Sequence, residues 1–219
     1  MKTTGIILAG GKSSRMGTNK ALLTIDGKTV IERIVDQLDQ IVDEIIVVTN
    51  HFLDYEFLQL PMVEDKWKEM GPLAGIEAGL NASTTERNLI VACDMPFISI
   101  ELGKYLLTLL DQYQAAVPEI SGQLHPLFAA YRKDTLKAVS KLLNENQLRI
   151  RQLLHTIHVK IIKNEILDSL GISTEEIYFF NMNHPDEYHK AIKIIKEKGG
   201  MSNHEVFPSK ICGKNDFTN

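Results

Sequence analysis

The chain has 219 residues, long enough for one domain with a substantial core, and its 44% apolar and 24% charged residues match an ordinary globular protein. A formal net charge of −4 excludes the basic surplus of a general nucleic-acid binder, and the longest apolar runs fall far short of the ~20 residues of a membrane span. Cys93 lies in an apolar run and Cys212 in a polar stretch, so a disulfide framework is not expected. The amino terminus enters an apolar run at once, without a charged-then-apolar leader. A cytoplasmic protein with neither membrane nor nucleic-acid partners is the expectation.

In chain order, Gly5-Ile6-Ile7-Leu8-Ala9 reads as a buried first strand that opens into the glycine- and hydroxyl-rich stretch from Gly10 to Lys20. Val30, Ile31, Ile34, Val35, Leu38 and Ile41 then recur at helical spacing, behind a capping Thr29. Glu44 to Asn50 reads as a second buried strand, and Met62-Val63 as a shorter extended piece leading to Glu64-Asp65. Gly71-Pro72-Leu73-Ala74-Gly75 starts a helix with Pro72 in its first turn. Leu89 to Cys93 is a third buried strand ending on Asp94-Met95-Pro96, and Ser99 caps the helix that follows.

Ala115 to Pro118 and Pro126 to Tyr131 predict two more strands, the second antiparallel. A helix from about Asp134 to Leu143, a short basic one at Leu148 to Leu154, strands at Val159 to Ile162 and Tyr178 to Asn181, and a last helix from Pro185 complete the pattern. Such alternation predicts an α/β fold with a mainly parallel sheet. Periodicity stops after Gly199, so the expected division is a domain over 1–199 and a loosely held tail over 200–219.

The stretch Leu8-Ala9-Gly10-Gly11-Lys12-Ser13-Ser14-Arg15-Met16-Gly17-Thr18-Asn19-Lys20 has the chemistry of a polyphosphate site. Gly10 and Gly11 let backbone approach an anion and tolerate positive φ, while Ser13 and Ser14 add hydroxyl donors. Arg15 offers a planar fork and Lys20 a movable point charge. It is not a P-loop, which would need glycine at Arg15 or Met16, and it lacks the dinucleotide fingerprint.

Ligands of open parallel sheets lie beyond the carboxyl ends of the strands, where Gly10, Asn50, Asp65 and Asp94 all fall. Asp94 there is either a hard oxygen ligand for Mg²⁺ beside phosphate or the cap of a turn before Pro96. Asp65 could bind a ribose hydroxyl, assist a metal, or solvate a charged loop with Glu64 and Lys66.

The pattern Leu-Ala-Gly-Gly-x-Ser-x-Arg-Met-Gly-x-x-Lys at Leu8 to Lys20 resembles the signature of the molybdenum cofactor guanylyltransferase family. Asn50, Asp65, Gly71-Pro72-Leu73-Ala74-Gly75 and Cys93-Asp94-Met95-Pro96 match it in order. Weaker matches follow at His125-Pro126-Leu127, at Arg149 and Arg151, and at Asn181-Met182-Asn183, so the likeness covers about residues 4 to 197. It departs at His184, where the family pattern Asn-x-Asn-Thr-Pro has threonine.

The resemblance implies a three-layer, Rossmann-like nucleotidyltransferase fold. It further implies GTP held by Leu8, Ala9, Gly10, Lys20, Asp65 and Asp94, with Mg²⁺ on Asp94. Arg15, Lys20 and Asp94 would serve transfer of GMP to molybdopterin, a cofactor passed on by delivery or acceptor proteins. Related cytidylyltransferases resemble this stretch but read Leu-Ala-Ala-Gly, so the bare Gly10 suits a purine. A cytidylyltransferase for the same pterin, a sugar-phosphate nucleotidylyltransferase and a non-catalytic nucleotide sensor are the rival readings.

Overall fold

The computed structural model describes residues 1–10, 19–182 and 184–199. Arg15 and the other residues of 11–18, Asn183, and the tail expected from 200 onward lie outside the described residues.

The first strand, β1 (Thr3–Leu8), runs to Ala9 and Gly10. A short 3-10 turn at Lys20–Leu22 follows the phosphate-type stretch, then a small hairpin, β2 (Thr24–Ile25) and β3 (Lys28–Thr29). Its turn is Asp26-Gly27, both at positive φ (49° and 77°), the pair a type I′ turn favours. Helix α1 (Val30–Leu38) starts with a complete capping box between Thr29 and Glu32. The two hydrogen bonds from Thr29 hold the Glu32 carboxyl below the usual range.

Then come β4 (Glu44–Val48), two 3-10 turns at Phe52–Asp54 and Glu56–Leu58, and β5 (Met62–Val63). Helix α2 (Pro72–Ala82) leads to β6 (Arg87–Ala92), α3 (Ile100–Leu109), β7 (Ala115–Ile120), β8 (Gln123–Leu124) and β9 (Phe128–Arg132). Helices α4 (Leu136–Asn144) and α5 (Ile150–Thr156), strand β10 (Val159–Lys163), and helices α6 (Asn164–Ser169) and α7 (Pro185–Gly199) complete the chain.

The main sheet has the order β10-β7-β9-β6-β1-β4-β5, with β8 added on β7. β1 pairs in parallel with β4 on one side and β6 on the other, whereas β9 is antiparallel to β6 and β7. The chain therefore first builds outward through β4 and β5, then returns to β6 on the opposite side of β1. That reversal puts a topological switch point between β1 and β6.

Alternate residues of the central strands serve opposite faces. Ile7, Val47, Leu89 and Val91 pack with α1, α3, α6 and α7, while Ile6, Leu8, Val48 and Ile90 pack with α2, α4 and α5. The result is the expected α/β sandwich of three layers. Leu73, Ile76 and Leu80 of α2 are fully buried, each worth about 1.5–3 kcal/mol relative to exposure. Helix α2 lies so close to β1 that a β-carbon on Gly79 would overlap Ile6 Cγ2.

One expectation is corrected here. Tyr178 to Asn181 is not a strand: Glu176–Phe179 forms a 3-10 turn, because Phe179 folds inward to pack in the α7-side core.

Candidate active site

Three strand ends deliver polar groups to one edge. Ala9, 5% exposed, continues β1 by donating its N–H to the Val48 carbonyl at 2.9 Å, and Gly10 follows it at the surface. A β-carbon on Gly10 would meet none of the described residues within 4 Å.

After β6 the chain turns at Cys93-Asp94. Cys93 donates its N–H to the Leu8 carbonyl at 3.2 Å, which ties this turn to the end of β1. Burial, with the Asp94 charge beside it, pushes the Cys93 thiol up to about 12, so it stays a neutral packing group. Asp94 is half-buried, and desolvation raises its carboxyl above the usual range. The Lys20 ammonium acts against that rise, which brings together two groups 74 positions apart in sequence. Glu187, on α7, adds a weaker like-charge effect that raises the carboxyl further.

The Asp94 turn is held from two sides. Gln37 of α1 donates from Nε2 to the Pro96 carbonyl at 3.1 Å and accepts the Ile98 N–H at 2.6 Å. Met182 donates its N–H to the Asp94 carbonyl at 2.9 Å. Neither residue carries a chemical signature in the sequence. Gln37 reads only as a polar position beside an amphipathic helix face, and Met182 works through its backbone.

At the far side, Asn50 Oδ1 accepts the Asp65 N–H at 3.1 Å, so the polar residues after β4 and β5 do meet. Asp65 Oδ1 in turn accepts the Trp67 N–H at 2.7 Å, an Asx turn that occupies one carboxylate oxygen. Desolvation raises the Asp65 carboxyl. Trp67 packs against the α2-side core, which makes it a packing residue. Gly71 caps α2 at φ 73°, where a side chain would strain the backbone, and a β-carbon on Gly75 would lie 3.2 Å from Leu8 Cδ2.

Beside the Asp94 turn is a cavity of about 420 Å³. Its lining includes Gln123, His125, Phe179, Phe180, Asn181 and Lys190. His125 packs against Phe179 with ring centroids 4.6 Å apart and planes tilted by 46°, and burial lowers its pKa so that it is neutral near pH 7. The Lys190 ammonium stands 5.5 Å from the centre of the Phe180 ring. Arg149 is the N-cap of α5 and Arg151 lies in its first turn; α5 packs on the opposite face of the sheet, and neither arginine lines this cavity. At His184 the backbone N–H donates to Glu187 Oε2 at 2.8 Å, so glutamate supplies half of a capping box where the family pattern has threonine.

Among the described residues no three His, Cys, Asp or Glu side chains cluster to hold a metal. None of the described helices is long and apolar enough to cross a membrane.

The three-layer α/β fold, with polar groups gathered at its switch point, is that of the nucleotidyltransferase class. The model of the MobA-like NTP transferase domain matches residues 5–161, and the chain belongs to that family. It is 38% identical over 195 residues to the probable molybdenum cofactor guanylyltransferase of Carboxydothermus hydrogenoformans, covering 89% of this chain and 98% of that one. The counterpart of the same name in Pelotomaculum thermopropionicum is 36% identical, with 87% and 92% covered. Among solved structures, the molybdopterin-guanine dinucleotide biosynthesis protein A of Archaeoglobus fulgidus superposes with a TM-score of 0.76 at 24% identity, covering 89% of this chain and 99% of that one. That last likeness supports the fold.

Proposed function

We propose that this protein transfers GMP from GTP to the terminal phosphate of molybdopterin, forming a guanine dinucleotide cofactor and releasing pyrophosphate. In this reaction an acceptor phosphate oxygen bonds to the α-phosphorus as the bond from that phosphorus to the β-phosphate oxygen breaks. The electron pair leaves with pyrophosphate. Family membership supports this reading, and the observation that carries it is the convergence of Lys20 and Asp94 at the switch point.

The acceptor is already an anion, so no general base is needed, and the obstacle is repulsion between two anions. Leu8, Ala9 and Gly10 line the nucleoside, and the missing side chain of Gly10 suits a purine. Asp65 faces the ribose with the carboxylate oxygen that its Asx turn leaves over. Lys20, together with Arg15, stabilises charge growing on the leaving pyrophosphate, each such donor being worth on the order of 2.7–4 kcal/mol of barrier.

The donor set fits Mg²⁺. A lone desolvated carboxylate at Asp94 is too little for a resident metal but suits an ion that arrives with phosphate oxygens and water. Bound there, Mg²⁺ supplies screening of the α-phosphate charge. The acceptor is assigned to the cavity next to Asn181, whose aromatic walls suit a flat heterocycle; Lys190 there favours an anion, against Glu176 and Glu187 in the same lining.

The test is pyrophosphate release from GTP, CTP, ATP and UTP, each with molybdopterin or a sugar phosphate. Release from GTP with molybdopterin supports the reading. Preference for CTP, or for a sugar phosphate, would replace it with one of its rivals.

A further inference from the structure

His125 stands in the short link between β8 and β9, and its backbone is held at both of its polar groups. The N–H donates to the Pro118 carbonyl at 2.9 Å, and the carbonyl accepts the Phe128 N–H at 3.1 Å. Pro126, the next residue, disfavours helical backbone at His125 and is itself tied down by the Tyr131 hydroxyl, which donates to the Pro126 carbonyl at 2.9 Å. On the ring side, the buried Phe179 packs on both His125 and Phe128. The fold therefore sets the imidazole in place.

The ring nitrogens have no such hold. Among the described residues neither nitrogen of His125 has a hydrogen-bond partner, and neither is sealed from solvent, since the one buried unpartnered side-chain atom there is Asn88 Oδ1. What His125 borders instead is the cavity. Burial alone lowers its pKa, and Glu176, Glu187 and Lys190, the charged groups of the same lining, do not bear on it. A neutral imidazole donates at one nitrogen and accepts at the other, whereas an imidazolium only donates. The His125 end of the cavity is thus aromatic and uncharged, with one donor and one acceptor to offer.

We propose that His125 sets acceptor specificity by hydrogen-bonding, through a ring nitrogen, to a flat neutral nitrogen heterocycle lying in this cavity. The inference rests on the reading that the cavity takes the acceptor. The rim of a pterin alternates N–H donors with carbonyl and ring-nitrogen acceptors, so it can meet the imidazole in either tautomer. A sugar phosphate has no flat ring to lie in an aromatic cavity. Because the imidazole is placed before the ligand arrives, little ordering entropy is lost in making the bond. An acceptor without the matching group would desolvate the nitrogen and leave it unpaired, which is how such a site rejects it.

The test is steady-state kinetics on the full chain with two replacements that separate the nitrogens from the ring. His125→Phe keeps an aromatic ring beside Phe179 and removes both nitrogens. His125→Gln keeps a donor and an acceptor and removes the ring. The KM for molybdopterin should rise about ten-fold in His125→Phe, the scale of one lost buried hydrogen bond, with a smaller change in kcat. In His125→Gln the rise should stay within about three-fold, because a polar partner remains. GTP affinity, read by calorimetry, should match wild type in both. A ring that only packs predicts the reverse order, so an unchanged KM in His125→Phe, or a larger rise in His125→Gln than in His125→Phe, would overturn the proposal. If Asn181→Ala raises the KM and His125→Phe does not, the role of His125 alone falls. If neither raises it, or if the wild-type protein uses a sugar phosphate in place of molybdopterin, the acceptor reading of the cavity falls with it.

Discussion

The Met182 N–H donates to the Asp94 carbonyl at 2.9 Å, joining the segment before α7 to the turn that ends β6. Asn181 lines the aromatic cavity one residue before Met182. Through this bond the two halves of the site share a backbone contact: the nucleotide edge at Asp94 and the cavity proposed for the acceptor.

Asp94→Asn should fold and turn over very slowly, because the size of the side chain is kept and its charge is lost. Stability should move the other way. Desolvation raises the folded pKa of Asp94, so at neutral pH its ionised form opposes folding in the metal-free protein. As pH falls through that raised pKa, the native carboxyl takes up a proton and the opposition fades. The Asp94→Asn variant should therefore give a higher thermal midpoint than wild type near pH 7, and the gap should close in acid. A midpoint below wild type at pH 7, or a gap that widens on acidification, would contradict this.

Asn181→Ala should raise the KM for molybdopterin and leave GTP affinity unchanged. Among the described residues the Asn181 side chain makes one long bond, to the Phe179 carbonyl at 3.4 Å, so its loss should perturb the fold little. Calorimetry with GTP alone beside molybdopterin kinetics separates the two effects. A weakened GTP affinity with an unchanged acceptor KM would move Asn181 to the nucleotide side.

Gly10→Ala should leave the unfolding midpoint near wild type, since the added methyl meets none of the described residues within 4 Å. Its cost should fall on GTP more than on CTP, because a purine is the larger base. Equal losses with both nucleotides would remove Gly10 from base selection.

Gly79→Ala should destabilise without touching the site directly. The new methyl would overlap Ile6 Cγ2 in the middle of the sheet, and overpacking of that kind costs about 1–3 kcal/mol. Urea unfolding reads it. A variant as stable as wild type would mean that α2 lifts from β1 without cost.

Much of the fold is legible in the sequence because local chemistry and tertiary packing agree. Pro72 does start α2, Thr29 and Ser99 do cap their helices, and Phe128–Arg132 is antiparallel as expected. The β2–β3 hairpin escapes a reading by periodicity although Asp26-Gly27 marks it, because each strand is only two residues long. Helix α6 likewise spans only six residues, too few for a helical period to declare itself. The run Ile177-Tyr178-Phe179-Phe180 has strand composition, but Phe179 is drawn into the core beside His125 and Phe128, and tertiary packing overrides the local preference.

In the site, the sequence points to charged and glycine residues and misses those that hold them. Asp94 stands out as a chemistry-bearing residue at a strand end, and Lys20 as the cation that closes the glycine-rich stretch. Gln37 acts through a contact 59 positions away, with Pro96, which no local pattern encodes. Asp65 is both things at once, an Asx-turn residue and an edge residue held by Asn50.

The most direct measurement is the mass and stoichiometry of the product formed from GTP, Mg²⁺ and molybdopterin. The account predicts a pterin dinucleotide heavier than the acceptor by one GMP unit, with one pyrophosphate released for each, and almost none from Asp94→Asn. A cytosine dinucleotide from the matching CTP reaction with none from GTP, or pyrophosphate released without any dinucleotide, would contradict it.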